Sequence, residues 1–121
     1  LQRHTSCICA HCSPLICWIG AAAHVLGIKD MAGLLKPAAA RVLIREFKQE
    51  VGLPIHFHMH DTSGAAAATV LAAVEEGVDA FDAAMDSMSG LTSQPRLGSI
   101  VAALQNTERN PGIDLPSVRL L

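Results

Sequence analysis

Tyrosine is absent from the 121 residues, and other aromatic side chains are scarce, with three phenylalanines and one tryptophan. Aliphatic and small side chains must therefore fill the interior. Charged residues are only 17% of the chain, 50% is apolar, and the formal net charge is −2. That balance suits an alanine-rich, mostly buried α/β interior better than a solvated independent domain. No basic run breaks it, so the electrostatic footprint of a nucleic-acid or anionic-membrane binder is missing. Long hydrophobic runs are lacking as well: the longest apolar stretch, Gly64 to Val74, falls well short of the ~20 residues needed to span a bilayer. Neither nucleic acid nor a membrane is an expected partner. The chain opens on Leu1 rather than Met and stops at Leu121, so both ends read as cut and a larger parent is expected. With no credible targeting signal the expected location is cytoplasmic, or mitochondrial if the parent is eukaryotic.

Cysteine is confined to the first twenty residues. Cys7, Cys9, Cys12 and Cys17 lie there with His4, His11 and Trp18, and neither helical nor strand periodicity is evident. Composition changes abruptly near Gly20. Thiolates this close could form a zinc knuckle from Cys7, Cys9, Cys12 and His11. Arg3, the apolar run and Ala21-Ala22-Ala23 could instead be a signal peptide, although His11, Ser13 and Pro14 interrupt the run. The favoured expectation is that residues 1–20 are a non-native segment, from a frame slip or an artificial junction, with the folded unit spanning 21–121.

From Ala21 onward strand and helix signals alternate. Val25 to Lys29 predicts a strand; Pro37 then opens a helix whose Ala39, Val42, Leu43, Phe47 and Val51 fall on one face. Leu53-Pro54 marks a turn, Ile55 to His60 a second strand, and Ala65 to Glu76 a helix stopped by Gly77. Asp79 to Ala84 predicts a third strand, Ser87 to Pro95 a polar loop, and Leu97, Ile100, Val101 and Leu104 the stripe of a third helix. Such βα repeats imply an α/β fold with a parallel sheet and right-handed crossovers. Three units cannot close an eight-stranded barrel, but they would make a consecutive fragment of a TIM (β/α)8 barrel, whose active site is built on the loops after the strands. Open edges in such a fragment predict poor folding or aggregation in isolation.

The candidate ligands fall on that rim. Side chains two apart in a strand share a face, so His56, His58 and His60 point the same way, with His58 and His60 nearest the C-terminal end. His56, sitting deeper, reads as a hydrogen-bonded interior histidine. Lys29 ends the neighbouring strand. Flanked by Val25, Leu26 and Ile28 its amine is expected to be partly desolvated, which favours the neutral form, and a neutral amine can add carbon dioxide to become an anionic carbamate. Two imidazoles and an anionic oxygen suit Zn²⁺, Mn²⁺ or Co²⁺ better than calcium or magnesium. His-x-His is by itself a weak signal, and a lone lysine at a strand end is usually an ion-pair partner or a solvated terminus.

Three stretches together carry a resemblance. Ile28-Lys29-Asp30-Met31-Ala32-Gly33-Leu34-Leu35-Lys36-Pro37, then His58-Met59-His60-Asp61-Thr62-Ser63-Gly64, then Asp86-Ser87-Met88-Ser89-Gly90-Leu91-Thr92-Ser93-Gln94-Pro95 closely resemble the carboxyltransferase domain of pyruvate carboxylase, in that family's order and spacing, from about Ala21 to the end. Oxaloacetate decarboxylase and transcarboxylase carboxyltransferase subunits share the first two motifs. The third, Ser87 to Pro95, favours pyruvate carboxylase. Leu1 to Trp18 has no counterpart in the family.

The resemblance implies a TIM barrel in which an early-strand aspartate, a carboxylated lysine and two histidines hold Zn²⁺ or Mn²⁺. Lys29 would be that lysine and His58 and His60 the histidines; the aspartate is not in this chain. The implied reaction moves CO2 from carboxybiotin to pyruvate, giving oxaloacetate. The biotin is carried by a domain outside this chain, and the parent is expected to be a homo-oligomer. The rest of the barrel is the necessary partner, so the fragment is expected to be inactive alone; a non-catalytic truncated metal-binding fragment is the alternative. Asp61 and Asp30 are nearby candidates to orient the histidines, and Thr62, Ser63, Ser89 and Thr92 lie on rim loops without an assigned catalytic role.

Overall fold

A computed structural model describes residues 24–119. The cysteine cluster and the expected junction near residue 20 lie outside the described residues. Three parallel strands, β1 (Leu26–Asp30), β2 (Ile55–Met59) and β3 (Ala80–Phe81), form one sheet in that order. Helices α1 (Pro37–Glu50), α2 (Ala66–Glu75) and α3 (Leu97–Leu104) follow the three strands in turn, and a short α4 (Leu115–Arg119) comes last. The alternating βα units and the parallel pairing are those of an open barrel fragment.

Local chemistry explains the boundaries. Pro37 occupies the first turn of α1, where its missing N–H is no loss, and Lys36 before it is extended. Gly77, with φ 91°, ends α2 in a left-handed conformation: its N–H donates to the Val74 carbonyl at 3.0 Å, and the Val78 N–H to Ala73 at 3.1 Å. That bond pair is the Schellman arrangement, which only glycine adopts without strain. The third strand is shorter than the Asp79 to Ala84 run suggested. After Asp82 donates its N–H to the Phe57 carbonyl, the chain leaves β2, and Ala84 pairs instead with the backbone of Pro95 to Leu97.

Burial divides the sheet into two faces. Ile55, Phe57 and Met59 are fully buried beneath the helices and alternate with the half-buried His56, His58 and His60. Ile44, Val70, Val74, Ile100 and Leu104 complete the core on the helical side. The alanines of α2 let α1 approach closely, and Thr69, fully buried there, donates its hydroxyl to the Leu35 and Ala65 carbonyls, each at 3.0 Å. The α1 stripe differs from the periodicity reading. Ala40, Ile44 and Val51 are buried with Leu43 and Phe47 partly so, whereas Ala39 is exposed and Val42 is 58% exposed. The helix packs on α2 and, through Ile44, on the core, so a single side is buried.

A ladder of ion pairs joins the outer surfaces of the units: Arg41 to Glu75, Arg45 to Glu76 through two parallel bonds of 2.6 and 3.0 Å, and Lys48 to Asp79 at 2.7 Å. Exposed pairs of this kind contribute little each. Asp79 is different because the same carboxylate oxygen also accepts the Ile55 N–H at 2.7 Å, tying the start of β2 to the start of β3. Those bonds, led by the one from Lys48, hold its carboxyl below the ordinary value of 3.8. A group lowered in the fold stabilises it above that ordinary value, and the contribution fades as pH falls through the lower folded value. Asp79→Ala should therefore lower stability by about 1–3 kcal/mol near neutral pH, where it leaves the Ile55 N–H unpaired. Urea unfolding of both proteins between about pH 6 and about pH 3 checks this, because the difference should shrink in acid.

Candidate metal centre

The pairing of β1 with β2 sets the site. Lys29 stands opposite His58 and Gly27 opposite His56, so in parallel strands Lys29 shares the inner face with the histidines. His60 follows β2 directly and extends the ladder by donating its N–H to the Asp30 carbonyl at 3.0 Å. All three residues singled out from sequence, Lys29, His58 and His60, are thus at the C-terminal rim of adjacent strands.

The two imidazoles converge. His58 Nε2 lies 3.1 Å from His60 Nε2, with the rings 5.1 Å apart between centroids and tilted by 63°. Their other nitrogens are engaged: His58 Nδ1 with Asp82 Oδ2 at 2.6 Å, and His60 Nδ1 with the Thr92 carbonyl oxygen. A carbonyl and a carboxylate can only accept, so both Nδ1 atoms carry the hydrogen. In neutral rings both Nε2 atoms then present lone pairs to one another, an arrangement that a cation between them relieves. Two imidazole nitrogens bound at about 2.0–2.1 Å to one ion lie about 2.8–3.4 Å apart between octahedral and tetrahedral angles. The observed spacing fits a divalent ion.

Lys29, the third residue singled out from sequence, stands beside them on β1. Among the described residues no cluster of three or more histidine, cysteine and carboxylate side chains is arranged to hold a metal. The expectation that Lys29 is partly desolvated is not met: Lys29 is exposed, because no described segment covers the inner face of this open sheet. Neither Asp30 nor Asp61 orients a histidine, contrary to expectation. Asp30 Oδ2 accepts the Leu35 N–H at 2.7 Å, and Asp61 Oδ1 accepts the Ala66 N–H at 3.0 Å where α2 begins. Burial alone would raise the Asp30 carboxyl, but backbone N–H bonds from Leu35, Leu34, Ala32 and Gly33 outweigh it and hold it below its ordinary value. Asp30 therefore folds the loop that follows Lys29.

Asp82 was missed. Its Oδ1 pairs with His56 Nε2 at 2.8 Å and its Oδ2 with His58, and these bonds hold its carboxyl low against the opposing effect of burial. Strand alternation could have flagged it, since Asp82 lies two residues beyond Ala80, which stands opposite His56. The register that sets it beside His58 is not written in either strand alone. His56 was expected to be a hydrogen-bonded interior histidine: the bond to Asp82 is present, but the ring is only half-buried on this open face.

Three loops close on the histidines. Gly33, at φ 63°, lies so near the His60 carbonyl oxygen that a Cβ there would overlap it. The Ser63 hydroxyl donates to the Gly33 carbonyl at 2.5 Å, and the Asp61 N–H donates to the Ser93 carbonyl at 2.8 Å. The third motif acts here through main-chain oxygens of Thr92 and Ser93. Ser89 instead bonds the Asp86 carbonyl at 3.0 Å, within its own loop. Asp86 accepts the Gly98 N–H at 2.8 Å, fixing the far end of that loop to α3.

This order of motifs, register and fold has a family. The HMGL-like family model matches residues 15–121. The chain belongs to the HMGL-like family. Among the HMGL-like relatives, pyruvate carboxylase of Aspergillus terreus is 54% identical over 99 residues, covering 81% of this chain and 8% of the relative. Mitochondrial pyruvate carboxylase of Mus musculus is 48% identical over 101 residues, 83% of this chain and 9% of that protein. The carboxyltransferase domain of Rhizobium etli pyruvate carboxylase, solved with pyruvate and biocytin, superposes with a TM-score of 0.85 at 64% identity, over 87% of this chain and 18% of that one. The resemblance to the pyruvate carboxylase carboxyltransferase domain therefore holds in sequence and in fold. This HMGL-like chain spans under a tenth of the length of these curated relatives.

Gly33→Ala should push the Lys29 loop off His60. We expect a loss of more than about 1 kcal/mol from the left-handed backbone and the overlap together. Crystal structures or amide chemical shifts of the variant should place the disturbance at His60 to Ser63 rather than in the helices.

Proposed function

We propose that the chain is the metal-bearing part of a carboxyltransferase domain of a biotin-dependent pyruvate carboxylase. The observation that carries this is the convergence of His58 Nε2 and His60 Nε2 at 3.1 Å, with both Nδ1 atoms tied back, on the rim beside Lys29. His58 and His60 would hold Zn²⁺ or Mn²⁺. Lys29 would add an oxygen ligand as its carbamate: the neutral amine attacks CO2, a C–N bond forms, and the displaced N–H proton passes to water. In the whole domain an aspartate from outside this chain would join them.

The parent reaction moves the carboxyl group from the ring nitrogen of carboxybiotin to the methyl carbon of pyruvate. That methyl loses a proton, the biotin nitrogen gains one, and oxaloacetate forms. A divalent ion bound at such a site supplies positive charge that stabilises the enolate oxygen as it develops. His58 and His60 fix where that charge sits, and the three loops hold them still. Pyruvate and carboxybiotin would bind in the full domain, on the inner face that is open here, with the remaining barrel strands excluding water around Lys29. The same residues would serve oxaloacetate decarboxylase or transcarboxylase, and the relatives named above favour pyruvate carboxylase. Alone, with a three-stranded open sheet, the chain would bind metal without turning over substrate. Among the described residues no helix is long and apolar enough to cross a membrane. The mouse relative is mitochondrial, and that location is proposed for a eukaryotic parent.

A hybrid enzyme tests the reading. Residues 24–119 should replace their counterpart in the Rhizobium etli enzyme with pyruvate carboxylation retained. His58→Ala or His60→Ala in the hybrid should lower metal content and activity by more than about tenfold. With ¹³C-bicarbonate, a carbamate carbon signal should be present and vanish in Lys29→Ala. A folded hybrid that is inactive, or one indifferent to loss of His60, would overturn the proposal.

A further inference from the structure

On the divalent-ion reading of His58 and His60 proposed above, we infer that Asp82 is a positioning residue for His58, and that His56 acts with it by holding the second carboxylate oxygen. The clamp is visible in the contacts. Asp82 Oδ2 is 2.6 Å from His58 Nδ1 and Oδ1 is 2.8 Å from His56 Nε2, so each oxygen has its own imidazole. The Asp82 backbone is fixed at the same place by its N–H bond to the Phe57 carbonyl at 3.1 Å.

Two bonds matter because the last torsions of aspartate and histidine are soft. Rotation about the bond to a carboxylate or an imidazole ring is broad and roughly two-fold, so packing alone does not set the plane of either group. A carboxylate with one partner can still swing. With both oxygens taken, its plane is fixed, the direction of the His58 Nδ1 bond is fixed with it, and Nε2 on the opposite side of the ring must aim at His60. The constraint runs from His56 through Asp82 to His58. It also sets the tautomer, since Nδ1 must carry the hydrogen and Nε2 keeps its lone pair. His56 therefore needs no place in the ligand set to influence it, and its half-buried ring lies on the inner face, opposite the helical core.

The inference is tested in the hybrid enzyme that carries residues 24–119 of this chain, with Co²⁺ as the probe. Asp82→Ala should weaken Co²⁺ binding about 10- to 100-fold and alter the visible absorption of the bound ion. His56→Ala should give a smaller loss, about threefold to tenfold, and His56→Gln, which restores an N–H donor, should recover most of it. Asp79→Ala serves as the control for stability, because it loosens the start of β2 and β3 without removing a contact to any imidazole. Binding by Asp82→Ala equal to that of the unsubstituted hybrid would overturn the inference, as would a loss no larger than that of Asp79→Ala. Should Asp82→Ala fail to fold, the two His56 variants decide, and failure of glutamine to improve on alanine counts against the clamp. If the unsubstituted hybrid takes up no Co²⁺, the metal reading fails, and ring ¹⁵N spectra of the metal-free hybrid still judge Asp82. His58 held as the Nδ1–H form, and released to a mixture in Asp82→Ala or His56→Ala, supports the clamp; an unchanged tautomer overturns it.

Discussion

Everything at the rim depends on one register. Leu26 opposite Ile55 and Lys29 opposite His58 are two statements of the same parallel pairing, and a slip of one residue would exchange the faces. Phe57 and Met59 would then face the open side while the imidazoles entered the apolar layer under α1 and α2. The energy that forbids this comes from the helical side, where Ile55, Phe57 and Met59 are fully buried. Core packing thus specifies the chemistry of the opposite face without touching it.

The loops divide the remaining work between side chains and backbone. Asp30 and Asp61 spend their carboxylates on backbone N–H groups, shaping the turn after Lys29 and the start of α2. Gly33 then allows one turn to lie against the carbonyl of His60. The loop from Ser87 to Pro95 approaches from the third unit and lends its carbonyls. Each of the three motifs comes from a different βα unit, which explains why they are far apart in sequence and adjacent in space.

Much of this was legible in the chain. Pro37, the Leu53-Pro54 turn and Gly77 announce their boundaries because each imposes a backbone geometry on its own, independent of neighbours. The alternation in Ile55 to His60 likewise declares two faces. What escaped needed partners. The buried side of α1 follows from where α2 lies, so it runs through Ala40 and Ile44 and leaves Ala39 and Val42 exposed, a choice that periodicity alone does not make. The desolvation expected of Lys29 needs a layer over the inner face of the sheet, and no described segment supplies one. Asp82 was passed over for Asp30 and Asp61 because closeness in sequence is a poor guide when the decisive neighbour stands on another strand.

The two histidines are anchored in unlike ways, and that difference bears on how the site can drift through evolution. His58 is held by a side chain, so the identity of residue 82 is directly exposed to selection. His60 is held by the peptide oxygen of Thr92, which every amino acid possesses. Position 92 can change its side chain while still supplying that anchor, provided the loop keeps its path. A survey of substitutions would therefore score one anchor as indispensable and the other as silent, although each fixes one of the two imidazoles that converge at the rim.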